Sequence, residues 1–311
     1  MQHVGFVVFP NFQAMGLAVI STFEFANLAK GEQVYKVVLL SETGGPVRAS
    51  LGFSVNTEAF GDTTFDTVII GAAAHVEKPT PGLLAFIQRS MRTARRIAAL
   101  CTGAFTLAEA GMLDGRRATT HWRFARDLQA RYPKLKVEED RIFIIDGPIW
   151  TSAGVTAGID LALAMVEKDL GAEIARTVAR KMVVYHRRSG GQSQFSTLLE
   201  LEPKSDRIQR ALDYASRNLK SALSVEELAD AAALSPRQFS RAFRAETGQS
   251  PAKAVERLRV EAARVLMEQG RHSMEAIAEE TGFADRERMR RAFLRRLGQS
   301  PQTIRRNSKA A

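Results

Sequence analysis

Residues 224–251 read SVEELADAAALSPRQFSRAFRAETGQSP, and residues 273–301 read SMEAIAEETGFADRERMRRAFLRRLGQSP. The second stretch restates the first. Leu228 and Ala229 answer to Ile277 and Ala278, Arg241 and Phe243 to Arg291 and Phe293, and Gly248 and Pro251 to Gly298 and Pro301. The offset is 49 residues before the central turn and 50 after it, so one residue has been added in that turn. Each copy reads as a short helix, a tight turn and a second helix studded with arginine. That is the outline of a helix-turn-helix, whose second helix can enter the major groove of DNA.

Helical spacing sorts the residues of each second helix by face. Phe239, Ala242 and Phe243 form the inward stripe of the first copy, and Met289, Ala292 and Phe293 that of the second. The outward side carries Arg237, Gln238, Ser240, Arg241 and Arg244 in one copy, and Arg286, Arg288, Arg291 and Arg295 in the other. Arginine can fork onto guanine O6 and N7, while other members of such a face hold only phosphates. The face, more than any single residue on it, is the prediction. Ser224 with Glu227 predicts a capping box ahead of the first copy. Gly282 suits the tight turn, and Gly248 and Gly298 suit helix C-caps. Residues 251–267 are long enough for one connecting helix, which would set the two recognition helices about one duplex turn (~34 Å) apart.

Charge agrees with this division. Residues 1–203 hold 22 Lys+Arg against 20 Asp+Glu, and residues 204–311 hold 22 against 14. A basic excess confined to one segment is the footprint of a polyanionic partner. At 311 residues and 45% hydrophobic content the chain predicts two domains with sizeable cores. No apolar run approaches a membrane span, and the Met1 to Val4 start lacks a signal-peptide pattern, so a cytoplasmic location is expected. One cysteine excludes an intrachain disulfide, and the scattered histidines show no ligand spacing, so neither metal nor cofactor is expected.

The first two-thirds alternates short apolar runs with helix-like segments. Strand-like runs at residues 4–9, 35–40, 67–70, 97–100 and 142–145 are separated by helical patterns at 16–28, 81–91, 104–110 and 156–166. The expectation is an α/β domain with a doubly wound parallel sheet, ending near residue 203 with a linker from about 189, followed by an all-α domain from 204. Residues 172–188 are expected to be helical, and the arginines at 92–96 and 116–117 to coat solvent faces. Ligands in such sheets bind beyond the carboxyl ends of the strands.

One turn there is chemically distinctive. Residues 99–103 (ALCTG) place Cys101 between small residues at a strand-to-helix switch, as a nucleophile elbow requires. The alternative is a buried, inert thiol. His121 either meets Cys101 or starts the following helix, with Trp122 packing inward. The candidate ligand-binding residues are Gly71, Cys101, Thr102, His121 and Ser152.

With residues 111–122 (GMLDGRRATTHW) and 150–160 (WTSAGVTAGID), this elbow resembles the class I glutamine-amidotransferase-like fold in its PfpI branch, over about residues 3–187. The resemblance implies a His beside the cysteine and an acid in the loop after the first strand. This chain has Thr102 at the one place and Gln13 to Gly16 at the other, with no Asp or Glu before Glu24. Residues 206–306 resemble the AraC/XylS family, most strongly at Ile277, Ala278, Gly282, Phe283, Asp285, Arg291, Phe293, Pro301 and Arg305. Met289 and Ile304 stand where aromatics are usual. The two together resemble the GlxA-like regulators. That resemblance implies a homodimeric activator that binds double-stranded promoter DNA, engages RNA polymerase, and answers to a small effector, with nitrogenous metabolites among those of the branch. A cysteine-dependent hydrolase or hydratase with a DNA-binding appendage, and an architectural DNA-binding protein without a ligand, are the competing readings.

Overall fold

The computed structural model describes residues 1–184, 188, 190, 194, 201, 203–268 and 272–309. The chain divides into two compact units, Met1–Gln194 and Phe195–Ala311. The expected boundary near 203 therefore falls inside the second unit. Most of residues 185–202 lie outside the described residues.

The strands of the first unit are β1 (Gln2–Val7), β2 (Tyr35–Ser41), β3 (Thr43–Arg48), β4 (Ser54–Ala59), β5 (Thr67–Ile70), β6 (Arg96–Leu100), β7 (Arg117–Ala118), β8 (Lys136–Val137), β9 (Phe143–Asp146) and β10 (Ile149–Ser152). Eight of them form one sheet in the order β3-β4-β2-β1-β5-β6-β10-β9, and β7 pairs with β8 alone. From β4 to β10 the neighbours run parallel, and only the edge strands β3 and β9 are antiparallel. The central strands are apolar at nearly every position because both faces are covered. All four residues of β5 are buried.

Helices α1 (Ala18–Lys30), α5 (Val155–Leu170) and α6 (Ala172–Lys181) pack together on one face, over Val4, Phe6, Ile69, Ala98 and Trp150. Helices α2 (Pro81–Thr93), α3 (Gly103–Glu109) and α4 (Trp122–Arg131) cover the alternate residues Val7, Val68, Ile70, Ile97 and Ile149 on the other. Thr80 caps α2 through Leu83 N, with Pro81 in the first turn. Helix α6 ends at Lys181, short of the expected 188, and residues 185–187 lie outside the described residues.

Arg96 does not coat a solvent face. It is 3% exposed, donates from Nε to Thr67 Oγ1 at 2.8 Å, and pairs with the fully buried Asp169, which also takes Arg95 and the Tyr35 hydroxyl. As the first residue of a central strand, its guanidinium lies over the Trp150 ring at 5.3 Å. Burial, then Asp169, push the Tyr35 phenol well above its ordinary range.

The second unit contains α7 (Asp206–Arg217), α8 (Val225–Ala231), α9 (Pro236–Thr247), α10 (Pro251–Glu268), α11 (Met274–Glu280), α12 (Arg286–Leu297) and α13 (Pro301–Lys309). Phe239 and Phe243 join Ile208, Leu212, Leu228 and Leu258 in one core, and Met289 and Phe293 join Val260, Met267, Ile277 and Ile304 in the other. Helix α10 contributes to both cores, as a single connecting helix must. Among the described residues no helix is long and apolar enough to cross a membrane.

Candidate functional sites

Cys101 stands directly after β6 with φ 50°, a left-handed conformation that strains any residue bearing a Cβ. The elbow geometry is therefore present. Its close fit is explained by Gly103, where an added Cβ would stand 2.7 Å from Gly71 O and 2.9 Å from Ile70 O. Gly71 is constrained in the same way against Val7 O, at 2.8 Å.

The thiol itself is disarmed. Cys101 is 4% exposed, and burial raises its pKa to about 11 despite the backbone N–H groups of Thr102 and His121. Thr102 makes two hydrogen bonds to Ala73, donating to its oxygen and accepting from its nitrogen, each at 3.0 Å. Where a resident acid is expected in relatives, the loop after β1 buries Phe12 and ties Gln13 N to Ala72 O at 2.8 Å.

His121 starts α4: its Nδ1 accepts from Arg123 N at 3.2 Å. Burial, then the Arg123 charge, hold the imidazole pKa below its ordinary value, and its Nδ1 is engaged as an acceptor in capping α4. Trp122 does not pack inward; it is 50% exposed, because α4 turns Ala125 and Leu128 to the core instead. Ser152 is fully buried at the end of β10, with its carbonyl accepting from Cys101 N at 3.0 Å. The fold thus gathers Gly71, Cys101, Thr102, Ser152 and the His121 backbone into one knot. Of these five, Thr102 alone lines the cavity of about 590 Å³ that opens beside it.

A residue outside the sequence reading closes this knot. Gln194 accepts from Trp122 N at 2.8 Å, donates to Thr120 O at 2.9 Å and to Glu139 O at 2.8 Å, and its own N–H donates to Asp140 Oδ1 at 2.8 Å. The Thr120 hydroxyl in turn donates to Cys101 O at 2.7 Å.

In the second unit the two helix-turn-helix copies have different electrostatics. Ser235 and Gln238 form a reciprocal capping box at the start of α9, so the Gln238 side chain is held at the helix end. The box expected at Ser224 is only half formed. Ser224 caps Glu227 N, but the Glu227 carboxylate accepts from Tyr214 instead. Arg237, Arg241 and Arg244 are exposed and have no ion-pair partner among the described residues, while Ser240 is half-buried.

On α12, capped by Asp285, Arg286 pairs with Glu275 at 2.7 Å, Arg288 with Asp285 at 3.7 Å, and Arg290 with Glu287 at 2.8 Å. Arg291 lies 4.0 Å from Glu287, and Arg295 pairs with Glu256 at 2.6 Å. Exposed pairs of this kind contribute little to stability and exchange readily for phosphate.

The turns between the paired helices also differ. Gly282 has φ 74°, and the equivalent Ala233 adopts φ 52° with a Cβ. A Cβ on Gly282 would stand 1.8 Å from Leu219 O. That carbonyl accepts from Arg259 Nε at 3.2 Å, and Arg259 Nη2 donates to Ser221 O at 2.6 Å, so α10 is bracketed to the loop after α7. Sequence reading missed Arg259, because a single arginine on a connecting helix carries no pattern.

Residues 3–168 match the DJ-1/PfpI family, and residues 228–307 match the helix-turn-helix domain. The chain is 30% identical to the HTH-type transcriptional regulator GlxA of Rhizobium meliloti (strain 1021) over 99% of its own length and 97% of that protein. It is 34% identical to the isonitrile hydratase of Pseudomonas putida over 56% of its own length and 75% of the hydratase. The fold also resembles the crystal structure of an AraC family transcriptional regulator from Pseudomonas putida, with a TM-score of 0.54 and 20% identity, over 58% of this chain and all of that one. With a DJ-1/PfpI sheet ahead of a doubled helix-turn-helix, the chain belongs to the family of GlxA-like HTH-type transcriptional regulators.

Proposed function

We propose that this regulator is a cytoplasmic, homodimeric activator that binds promoter DNA sequence-specifically and recruits RNA polymerase under the control of a small metabolite held in the first unit. The observation that carries the reading is the outward face of α9, where three arginines stand without carboxylate partners among the described residues, opposite a fully buried Phe239–Phe243 stripe. A helix so charged on one side and so anchored on the other is complementary to a polyanion groove.

The test is operator binding by the full chain across a salt series. Arg241→Ala lowers affinity by about 1–3 kcal/mol and relaxes preference at one base pair if the residue reads a base. A phosphate contact instead weakens all duplexes alike and lowers the salt slope. Parent-like binding by both Arg241→Ala and Arg291→Ala would refute the assignment of this face.

The strained elbow and the hydratase likeness favour a second reading, an enzyme acting through Cys101. Against it stands the protonated thiol, with no carboxylate or imidazole side chain hydrogen-bonded to it among the described residues. Multiple turnover of any small substrate, lost in Cys101→Ala, would establish the enzyme.

A further inference from the structure

The repeat that fixes the helix-turn-helix register also allows the two recognition faces to be matched position for position. With the offset of 50 residues, Arg237, Arg241 and Arg244 of α9 correspond to Glu287, Arg291 and Leu294 of α12. Steps of four and three residues put each trio on one face of its helix. All six residues are exposed, opposite the buried Phe239–Phe243 and Met289–Phe293 stripes.

The chemistry along the two faces differs. In the first copy all three residues are cationic donors. In the second the order is an acceptor, a donor and an apolar group. Glu287 stands in the first turn of α12, the part of a recognition helix that meets base edges. Its carboxylate accepts a forked pair of hydrogen bonds from Arg290, at 2.8 and 2.9 Å, and Arg291 lies 4.0 Å away. The Arg290 hydrogen bond above all holds the carboxyl below its ordinary pKa, so the group stays an ionised acceptor. The fork fixes the carboxylate plane, and each oxygen keeps a further lone pair for a second donor. The two guanidiniums offset its charge in the negative field of a duplex. Leu294 is 40% exposed and stands two helical turns further on, about 10 Å along the axis. A lone exposed leucine needs no explanation, but this one holds the place at which the first copy carries Arg244.

The major groove distinguishes these chemistries. A carboxylate accepts from cytosine N4, a guanidinium donates to guanine O6 and N7, and an apolar group meets the thymine C5-methyl. We propose that Glu287 and Leu294 set the base preference of the second copy, Glu287 by accepting from cytosine N4 and Leu294 by packing on a thymine methyl. The half-site under α12 is then unlike the half-site under α9, in spite of the repeat. The proposal rests on the sequence-specific DNA reading given above.

The experiment is selection by the full chain from a pool of randomised duplexes, followed by titration of the enriched duplex. The parent enriches a motif in which selection with Glu287→Gln converts one C·G pair to A·T, because glutamine forks onto adenine N6 and N7. The other positions of the motif stay as they are. On the parent duplex Glu287→Gln weakens Kd by about tenfold. Glu287→Ala loses preference at the same pair and gains no other. Each thymine of the motif is then replaced in turn by deoxyuridine, which lacks only the methyl. One replacement weakens parent binding by about fourfold, and Leu294→Ala no longer senses it. Both side chains are exposed, so the variants keep the far-UV ellipticity of the parent. An unchanged motif in Glu287→Gln, an equal loss of affinity for all duplexes, or deoxyuridine discrimination that survives Leu294→Ala overturns the assignment. A parent chain that enriches no motif overturns the sequence-specific reading itself.

Discussion

The two turns of the repeat permit a matched test, because Ala233 and Gly282 hold the same left-handed conformation in equivalent places. Replacing Gly282 by Ala adds a Cβ at φ 74°, which costs about 1–2 kcal/mol in the left-handed region. The same atom would lie 1.8 Å from Leu219 O, so the backbone must move and the Arg259–Leu219 hydrogen bond is lost. A hydrogen bond from a charged donor is worth about 1.5–3 kcal/mol, and the lower backbone entropy of unfolded Ala returns about 0.5–1 kcal/mol, so the total loss is about 1.5–4.5 kcal/mol. Replacing Ala233 by Gly removes about 1–2 kcal/mol of strain and adds about 0.5–1 kcal/mol of backbone entropy cost, a net gain of up to about 1.5 kcal/mol. Urea unfolding of the full chain separates these effects. Both tryptophans, Trp122 and Trp150, lie in the first unit, so fluorescence follows that unit alone, while far-UV ellipticity also follows the helical one. The two variants should move the ellipticity transition in opposite directions and leave the fluorescence transition in place. A Gly282→Ala protein that unfolds like the parent would refute the reasoning, as would an Ala233→Gly protein that is less stable.

Two further outcomes follow from the first unit. With its pKa raised to about 11, the Cys101 thiol of the native chain should alkylate slowly at pH 7, with the rate rising about tenfold per pH unit toward that value. Because the folded value is the higher one, the matching contribution to stability is complete below about pH 8.5 and disappears as pH climbs toward 11, which alkaline unfolding would register. Asp169→Asn should cost about 3–5 kcal/mol by leaving the Arg96 charge buried without its partner. The fluorescence of Trp150, beside that guanidinium, reports the loss, and parent-like stability would contradict it.

The doubled helix-turn-helix was legible in the chain because a repeat fixes its own register. Once Phe239 and Phe243 are matched to Met289 and Phe293, every outward arginine follows from helical spacing. The apolar central strands were legible for the same kind of reason, their periodicity being set by burial on both faces. What escaped reading depends on long-range partners. The edge strand β3 carries Gly44, Gly45 and Pro46, and β4 beside it is largely polar, so no apolar pattern marks them. Arg96 looked like a surface charge until Asp169, 73 residues away, met it. The charged lining of the cavity escaped because Glu42, between β2 and β3, Arg48, ending β3, and Glu77 and Lys78, in the loop before α2, come together only through the sheet order.

Gln194 has a mechanical meaning. Its four hydrogen bonds weld the last residue of the first unit to Thr120, Trp122, Glu139 and Asp140, and Thr120 is itself tied to the carbonyl of Cys101. The elbow carbonyl and the last residue of the first unit are therefore joined by a short, wholly polar chain of hydrogen bonds. At about 0.5–1.5 kcal/mol each, the four bonds together contribute about 2–6 kcal/mol, so only one or two of them fall within the roughly 1–3 kcal/mol in which allosteric effects are usually measured. A joint of that kind is stiff while the set is intact and loosens one hydrogen bond at a time.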